Sequence, residues 1–264
     1  MYRNMSFVAV LVLVMALVLT AGTARAQSPC GSLSVQAANA AVAGALRAAQ
    51  GRSNGGFSLH MWATVVNRDG VVCAVAFTGN NRADQWPGSR VISAQKANTA
   101  NAFSLPALAL STANLYSAVQ PGGTLFGLQE SNPVNTDVAY GGNAANYGRP
   151  NDPMVGGKIG GVNVFGGGLA LYTPTGTLIG GIGVSGDTSC ADHIIAWRTR
   201  HALNVDNVPA GVGAGGTDNI VHDVAPDAHL HPVSAGGFGH PACSAASTAA
   251  AADLIVSYPV GPNP

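Results

Sequence analysis

Charged residues are scarce in this chain, and their signs are balanced. Only 9% of the 264 residues are Asp, Glu, Lys or Arg, with 12 basic against 12 acidic side chains. A neutral chain without a basic stripe argues against nucleic-acid binding, which needs positive charge along the contact surface. Little net charge also leaves copies of the chain without mutual repulsion, and this favours an oligomeric surface.

Three common motifs of enzymes and nucleotide-binding proteins are missing. The sequence contains no G-x-S-x-G nucleophile elbow, no H-E-x-x-H zinc motif and no G-x-x-x-x-G-K phosphate loop. The run Gly-Val-Ser-Gly at 183–186 does contain a serine, but the sequence assigns it no base. No hydrolase or nucleotide-binding class is therefore indicated.

Paired cysteine motifs are also absent. No Cys-x-x-Cys occurs, which argues against a metal site built from the thiols. The four cysteines are Cys30, Cys73, Cys190 and Cys243. An even number in an exported chain favours two disulfides, and the sequence leaves all three pairings open. Because Cys243 lies in a loose tail, we expect one bridge to tie that tail to the body.

A long hydrophobic run occurs at the N-terminus. Residues 1–26 contain an early arginine, an apolar stretch over 7–19 and Ala-Arg-Ala before Gln27. This pattern is typical of a cleaved secretory signal, and the apolar stretch is short for the ~20 residues of a membrane span. The alternative is an uncleaved membrane anchor. We expect a secreted or periplasmic mature chain without a membrane span.

Periodic patterns and turn residues predict an α+β fold. Helices are expected over 34–50, 92–104, 107–118 and 190–203, and hairpins over 60–77 and 169–185. Hairpins require antiparallel strands, so this order predicts one antiparallel sheet with helices packed on one face. The other face would then need a partner subunit or a ligand.

Composition divides the chain into three parts. The signal peptide at 1–26 is followed by a domain at 27–203, which contains a long Gly- and Asn-rich loop at 121–162. Residues 204–264 are rich in Gly, Ala, Pro and His, and we expect this extension to wrap the domain. A loop as long as the one at 121–162 is usually functional or mediates assembly.

The second strand of the second hairpin has an almost bare face. Gly181, Gly183 and Ser185 alternate along it, while branched aliphatic residues occupy the opposite face. A face without side chains admits a packed helix, another backbone or a flat ligand. The sequence leaves these alternatives open.

Three blocks of sequence resemble a known family. They are VVNRDGVV at 65–72, QKANTANAF at 95–103 and LIGGIGVSGDTSCAD at 178–192. Their order and spacing are similar to those of the GlcG/HbpS-like haem-binding family over 33–203. The resemblance implies a profilin-like α+β domain, homo-oligomers and, in exported members, haem binding. The long loop and the extension depart from the short form of the family.

Haem binding needs an apolar slot, an axial ligand for the iron, and cations or donors for the propionates. The bare face of Gly181, Gly183 and Ser185 is a candidate wall for haem. His193 and His60 are the candidate iron ligands. The alternative for His193 is an exposed helix edge.

Lys96 and Thr99 lie in the second family-like block. Lys96 is a candidate partner for a propionate, and its alternatives are pairing with Asp192 or extending from a buried helix towards water. Thr99, one turn further on, is a candidate donor or weak oxygen ligand, and helix packing is its alternative.

The first functional hypothesis is an exported protein that holds haem noncovalently for sensing, scavenging or transfer. Two other functions stay open at this level. One is an enzyme that acts on a small organic substrate, with Lys96 and Asp192 transferring protons. The other is a ligand-free structural oligomer.

Overall fold

The computed structural model describes residues 30–31, 35–227 and 231–261. The predicted signal peptide at 1–26 and the predicted start of the first helix at residue 34 lie outside the described residues. The helices are α1 Val35–Gln50, α2 Gly88–Ala102, α3 Thr136–Tyr140, α4 Ser189–Ala202 and α5 Ala245–Ser257. The strands are β1 Trp62–Asn67, β2 Val72–Phe77, β3 Gly168–Tyr172, β4 Leu178–Ser185, β5 Val224–Pro226 and β6 Pro232–Ser234. None of the described helices is long and apolar enough to cross a membrane.

The first four strands form one antiparallel sheet in the order β2-β1-β4-β3. Both predicted hairpins are confirmed, and a tight turn closes each. In the first turn the Asn67 side chain accepts hydrogen bonds from the backbone N–H groups of Asp69 and Val71, and Gly70 has a φ of 75°. In the second turn Gly176 has a φ of 81°. Glycine adopts such positive φ values without the steric penalty of a Cβ.

Helix α2 covers the bare face of β4. A Cβ at Gly183 would collide with the backbone of Ser93 and Ala97, and one at Gly181 would collide with the carbonyl of Ala97. The glycines therefore allow a helix to approach the sheet closely. Of the alternatives that the sequence left open, the packed helix is the one found, and no flat ligand fits between α2 and these two glycines.

Helices α1 and α4 cover the opposite face. Ile182 of β4 belongs to one buried cluster with Leu46 of α1 and with Ile194 and Trp197 of α4. The expected α+β fold is confirmed. The expectation that helices pack on one face only is wrong, because the bare and the aliphatic faces each receive a helix layer.

Two local predictions differ from the structure. Residues 107–118 do not form a continuous helix, because two single 3₁₀ turns, Thr112–Leu115 and Ser117–Val119, replace it. Ser111 caps the first of these turns, and the backbone N–H of Ala109 bonds to Ala210 in the extension. Helix α4 also begins at Ser189, one residue before the expected start at 190, and the Thr188 side chain accepts the capping bond from the backbone N–H of Ala191.

Two disulfides close the fold. They join Cys30 to Cys73 and Cys190 to Cys243. The second bridge ties the extension to α4, as expected for Cys243. The extension also contributes Ala251 and Leu254 of α5, which the sequence did not predict as a helix, to the cluster beside α4.

Candidate functional site

A cleft of about 320 Å³ opens between α2 and the start of α4. We call it the polar cleft. Its inner wall carries polar side chains, namely Lys96, Ser185, Asp187, Ser189 and Asp192. Its rim is apolar, with Trp86 56% exposed and Phe165 47% exposed. Large aromatic side chains this exposed beside a polar floor are typical of a ligand site.

A buried ion pair forms the floor of the polar cleft. Nζ of Lys96 lies 2.7 Å from Oδ2 of Asp192 and also donates to the carbonyl of Val184 at 3.1 Å. The side chains are 2% and 3% exposed, respectively. Pairing with Asp192 was one of the alternatives for Lys96, and the structure contains that pair.

The pKa of Asp192 lies above the ordinary value of an aspartate. Burial raises its pKa to about 6, although the attraction of Lys96 and a hydrogen bond from the Asp187 backbone N–H oppose the rise. A carboxyl with such a pKa is partly protonated between pH 5 and 7, as is common at functional sites.

The chain reaches this geometry through glycine at the start of β3. Gly167 has a φ of 114°, and a Cβ there would lie 3.3 Å from Nζ of Lys96. Glycine permits both the backbone angle and the close approach. The local sequence therefore places the ion pair beneath the edge of the sheet.

His193 does not line the polar cleft. It is fully buried, and its Nε2 accepts a hydrogen bond from the backbone N–H of Ile220 at 3.1 Å. Burial lowers its pKa to about 3. The ring faces the extension rather than solvent, so the alternative of an exposed helix edge is wrong. Its Nδ1 is buried without a hydrogen-bond partner among the described residues, and the role of iron ligand stays a prediction.

His60 and Thr99 also lie away from the lining of the polar cleft. Nδ1 of His60 is 3.2 Å from Oγ1 of Thr78. Oγ1 of Thr99 donates to the carbonyl of Gln95 at 2.7 Å and accepts from the N–H of Asn163 at 3.0 Å. Thr99 therefore fixes a loop against α2, in line with its packing alternative.

The structure brings one further histidine, from far along the sequence, into contact with Ser189 of the cleft. Nε2 of His240 lies 2.7 Å from Oγ of Ser189, and its Nδ1 lies 2.7 Å from the carbonyl of Pro241. Burial lowers the pKa of His240 to about 4, so the ring is neutral at pH 7. Sequence reasoning missed this residue because it lies in the extension, where no periodic pattern indicates a contact.

A second, larger pocket of about 580 Å³ lies at the α1 side of the sheet. We call it the apolar pocket. Aliphatic residues such as Val42, Leu171 and Ile179 line it, with Arg68 and Asp69 at its edge. Its described lining contains no imidazole, thioether or phenol, and its two cysteines are bonded to each other. It therefore lacks the usual axial ligands of haem iron.

A family model described as haem degrading protein HbpS-like matches residues 33–200. The chain belongs to the HbpS-like family. The resemblance is thereby confirmed, and family membership indicates a haem-related function. The matched residues include Lys96, Ser185 and Asp192 of the polar cleft.

Two solved structures are similar to the chain. One, described as the PduOC:heme complex, is 25% identical and covers 63% of this chain and 88% of its own, with a TM-score of 0.42. The other, Klebsiella pneumoniae protein ORFY of the DUF336 family model, is 24% identical and covers 62% and 88%, with a TM-score of 0.41. None of the curated proteins compared with the chain matches it.

Proposed function

We propose that this protein is exported and holds haem noncovalently in the polar cleft, for sensing, scavenging or transfer. The observation that carries the proposal is the family match over 33–200, which spans most of the residues lining the cleft. Export is supported by the secretory pattern at 1–26 and by the two disulfides, which persist in oxidising compartments. The low net charge and the family resemblance support a homo-oligomer.

The residues of the polar cleft fit a haem group in three respects. The exposed faces of Trp86 and Phe165 offer flat apolar contact to a porphyrin edge. Lys96 supplies a cation at the floor that a propionate would share with Asp192, and Ser185 and Ser189 supply hydroxyl groups. The lining donors are mainly carboxylate and hydroxyl oxygens, so we expect a weak-field, high-spin ferric centre.

One observation favours the enzymatic alternative as a second candidate. The raised pKa of Asp192, about 6, allows it to give or take a proton while Lys96 stabilises its charged form. In that role the pair would act on a small organic molecule bound in the same cleft. Turnover of a screened substrate without added hemin would favour this candidate over haem binding.

Hemin titration with rim variants tests the haem proposal. We expect the wild-type protein to give a Soret band at one equivalent of hemin with a high-spin spectrum. Trp86→Ala and Phe165→Ala remove stacking contacts worth about 0.5–1.5 kcal/mol each, so each should weaken binding by about 2- to 10-fold. Phe126→Ala is the matched control, because Phe126 is 66% exposed and lies outside both pockets.

The outcomes test separately whether the protein binds haem and which pocket holds it. Absence of a Soret band in the wild-type protein would contradict haem binding. Equal affinity in both rim variants and the control, together with weaker binding in Ile179→Lys, would assign haem to the apolar pocket instead.

A further inference from the structure

Two sulfurs and two imidazoles meet where the extension crosses the start of α4. Cys190, His222 and His240 have ligand atoms that all lie within 4.8 Å of one another. Cys243 joins this group because it is disulfide-bonded to Cys190. One helix and three points in the extension thus converge on a set of two cysteines and two histidines, the set that binds structural Zn²⁺ tetrahedrally.

One ring nitrogen of His222 lacks a hydrogen-bond partner among the described residues. Its Nε2 is buried and has no hydrogen-bond partner among the described residues, and its Nδ1 lies 3.3 Å from the carbonyl of His240. Buried polar atoms without a partner are rare in folded proteins. This unpartnered nitrogen belongs to an imidazole of the Cys190, His222 and His240 group, so it is an available metal ligand.

The Cys190–Cys243 bridge is placed for reduction. Cys243 is an exposed residue, so its side of the bridge faces solvent. Cys190 is buried and is the second residue of α4, where the positive end of the helix dipole favours a thiolate. Attack on Cys243 therefore releases Cys190 as a stabilised leaving group. The Cys30–Cys73 bridge differs, because Cys30 is only half-buried rather than exposed and Cys73 lies in β2 rather than at a helix N-terminus.

We propose that Cys190, Cys243, His222 and His240 form a Zn²⁺ site that a dithiol reductant opens. The reductant transfers two electrons and two protons to the disulfide, so the bridge becomes two thiols and the reductant becomes a disulfide. Zn²⁺ then binds both sulfurs as thiolates, and the two thiol protons go to solvent. The oxidised bridge has no thiolate, so it excludes the metal.

Cobalt titration tests this site, with Co²⁺ as the spectroscopic substitute for Zn²⁺. The protein is titrated in its oxidised form, and again after reduction by dithiothreitol and removal of the reductant under argon. We expect thiolate-to-cobalt charge-transfer bands and tetrahedral d–d bands at one Co²⁺ per chain in the reduced protein alone. Added Zn²⁺ should displace the cobalt and abolish both bands.

Four variants assign the ligands. Cys190→Ser/Cys243→Ser should abolish the bands, whereas Cys30→Ser/Cys73→Ser should keep them. His222→Ala should weaken Co²⁺ binding by about 10-fold or more, at least the loss that outer-shell changes cause. His60→Ala is the matched control, since this histidine lies outside the cluster, and it should bind as the wild type does.

Circular dichroism shows whether the protein stays folded after reduction, and each result then supports or overturns the proposal. A folded reduced protein without cobalt bands would overturn the proposal. So would cobalt bands that persist in Cys190→Ser/Cys243→Ser, or an affinity of His222→Ala for Co²⁺ equal to that of the wild type. If reduction unfolds the chain, recovery of helix on adding Zn²⁺ supports the site, and failure to recover overturns it.

Discussion

At the scale of single residues, burial decides the properties of the candidate groups. Lys96 and His193 are 1% and 0% exposed, and His240 is 4% exposed. The sequence gives the chemistry of these side chains but not their burial. Burial lowers the pKa of both histidines well below its ordinary value and raises the pKa of Asp192.

These shifts predict that the protein loses stability in mild acid. His193 and His240 have folded pKa values of about 3 and about 4, below the ordinary 6.5, so their contribution is present above pH 6.5 and is lost as pH falls towards those values. The pKa of Asp192 is raised to about 6, and this has the opposite effect, because its contribution to stability is lost as pH rises through 6. At about 1.4 kcal/mol per pKa unit, we expect the free energy of unfolding to fall by about 2 kcal/mol from pH 7 to pH 5.

Urea unfolding at the two pH values measures this fall. His240→Gln removes one of the two destabilising groups, so the fall should shrink to below about 1 kcal/mol. A free energy of unfolding that is higher at pH 5 than at pH 7 would contradict the assignment of neutral, buried histidines.

At the scale of elements, the contact between α2 and β4 depends on the absence of a side chain. We predict that Gly183→Ala lowers the free energy of unfolding by about 3 kcal/mol or more, because its methyl group would overlap the backbone of Ser93 and Ala97. Gly44→Ala is the matched control. Gly44 lies on α1 with no atom within 4 Å of an added Cβ, so this change should stabilise by about 1 kcal/mol.

Chemical denaturation of both variants tests the close packing. Equal stability of Gly183→Ala and the wild type would show that α2 does not press on β4. A destabilised Gly44→Ala would show that the measurement reports the loss of glycine in general rather than this contact.

Much of the element order was predictable because its signals are local. Turn residues such as Asn67 and Gly176, and the helical periods of α1, α2 and α4, act over a few residues. In place of the helix expected over 107–118, two 3₁₀ turns follow the Ser111 cap, and the segment before them bonds through the N–H of Ala109 to Ala210 in the extension. Local composition cannot report such a contact.

The candidate site was predictable only in part for the same reason. Lys96 and Ser185 were expected site residues, and both line the polar cleft. The bare strand face was visible in the sequence, but what covers it depends on how α2 docks. Likewise, the contact of Ser189 with His240 spans 51 residues and leaves no periodic signal.

At the scale of the whole molecule, the extension supplies partners for buried groups of α4. Arg200 and Asp218 form two hydrogen bonds of 2.6 and 2.8 Å, and both side chains are fully buried. Nε1 of Trp197 donates to the carbonyl of Tyr258 at 2.9 Å. Arg200 and Trp197 of α4 therefore find these partners in residues that follow the helix.

Removing one of these partners should lower the free energy of unfolding. We predict that Asp218→Asn lowers the free energy of unfolding by about 3–5 kcal/mol, because the charge of Arg200 stays buried without its counter-ion. Asp253→Asn is the control, since Asp253 is exposed on α5 and should change stability by less than about 0.5 kcal/mol. Thermal unfolding of both variants measures the difference, and equal melting temperatures would contradict the role of the pair.

The position of these partners also sets the timing of folding in the cell. The ribosome makes α4 before it makes Asp218, Cys243 and Tyr258, so the nascent helix emerges while its counter-ion, its disulfide partner and its carbonyl acceptor do not yet exist. We therefore expect the core to close only after translation of the last helix. A polypeptide that completes its fold this late stays loosely structured during synthesis.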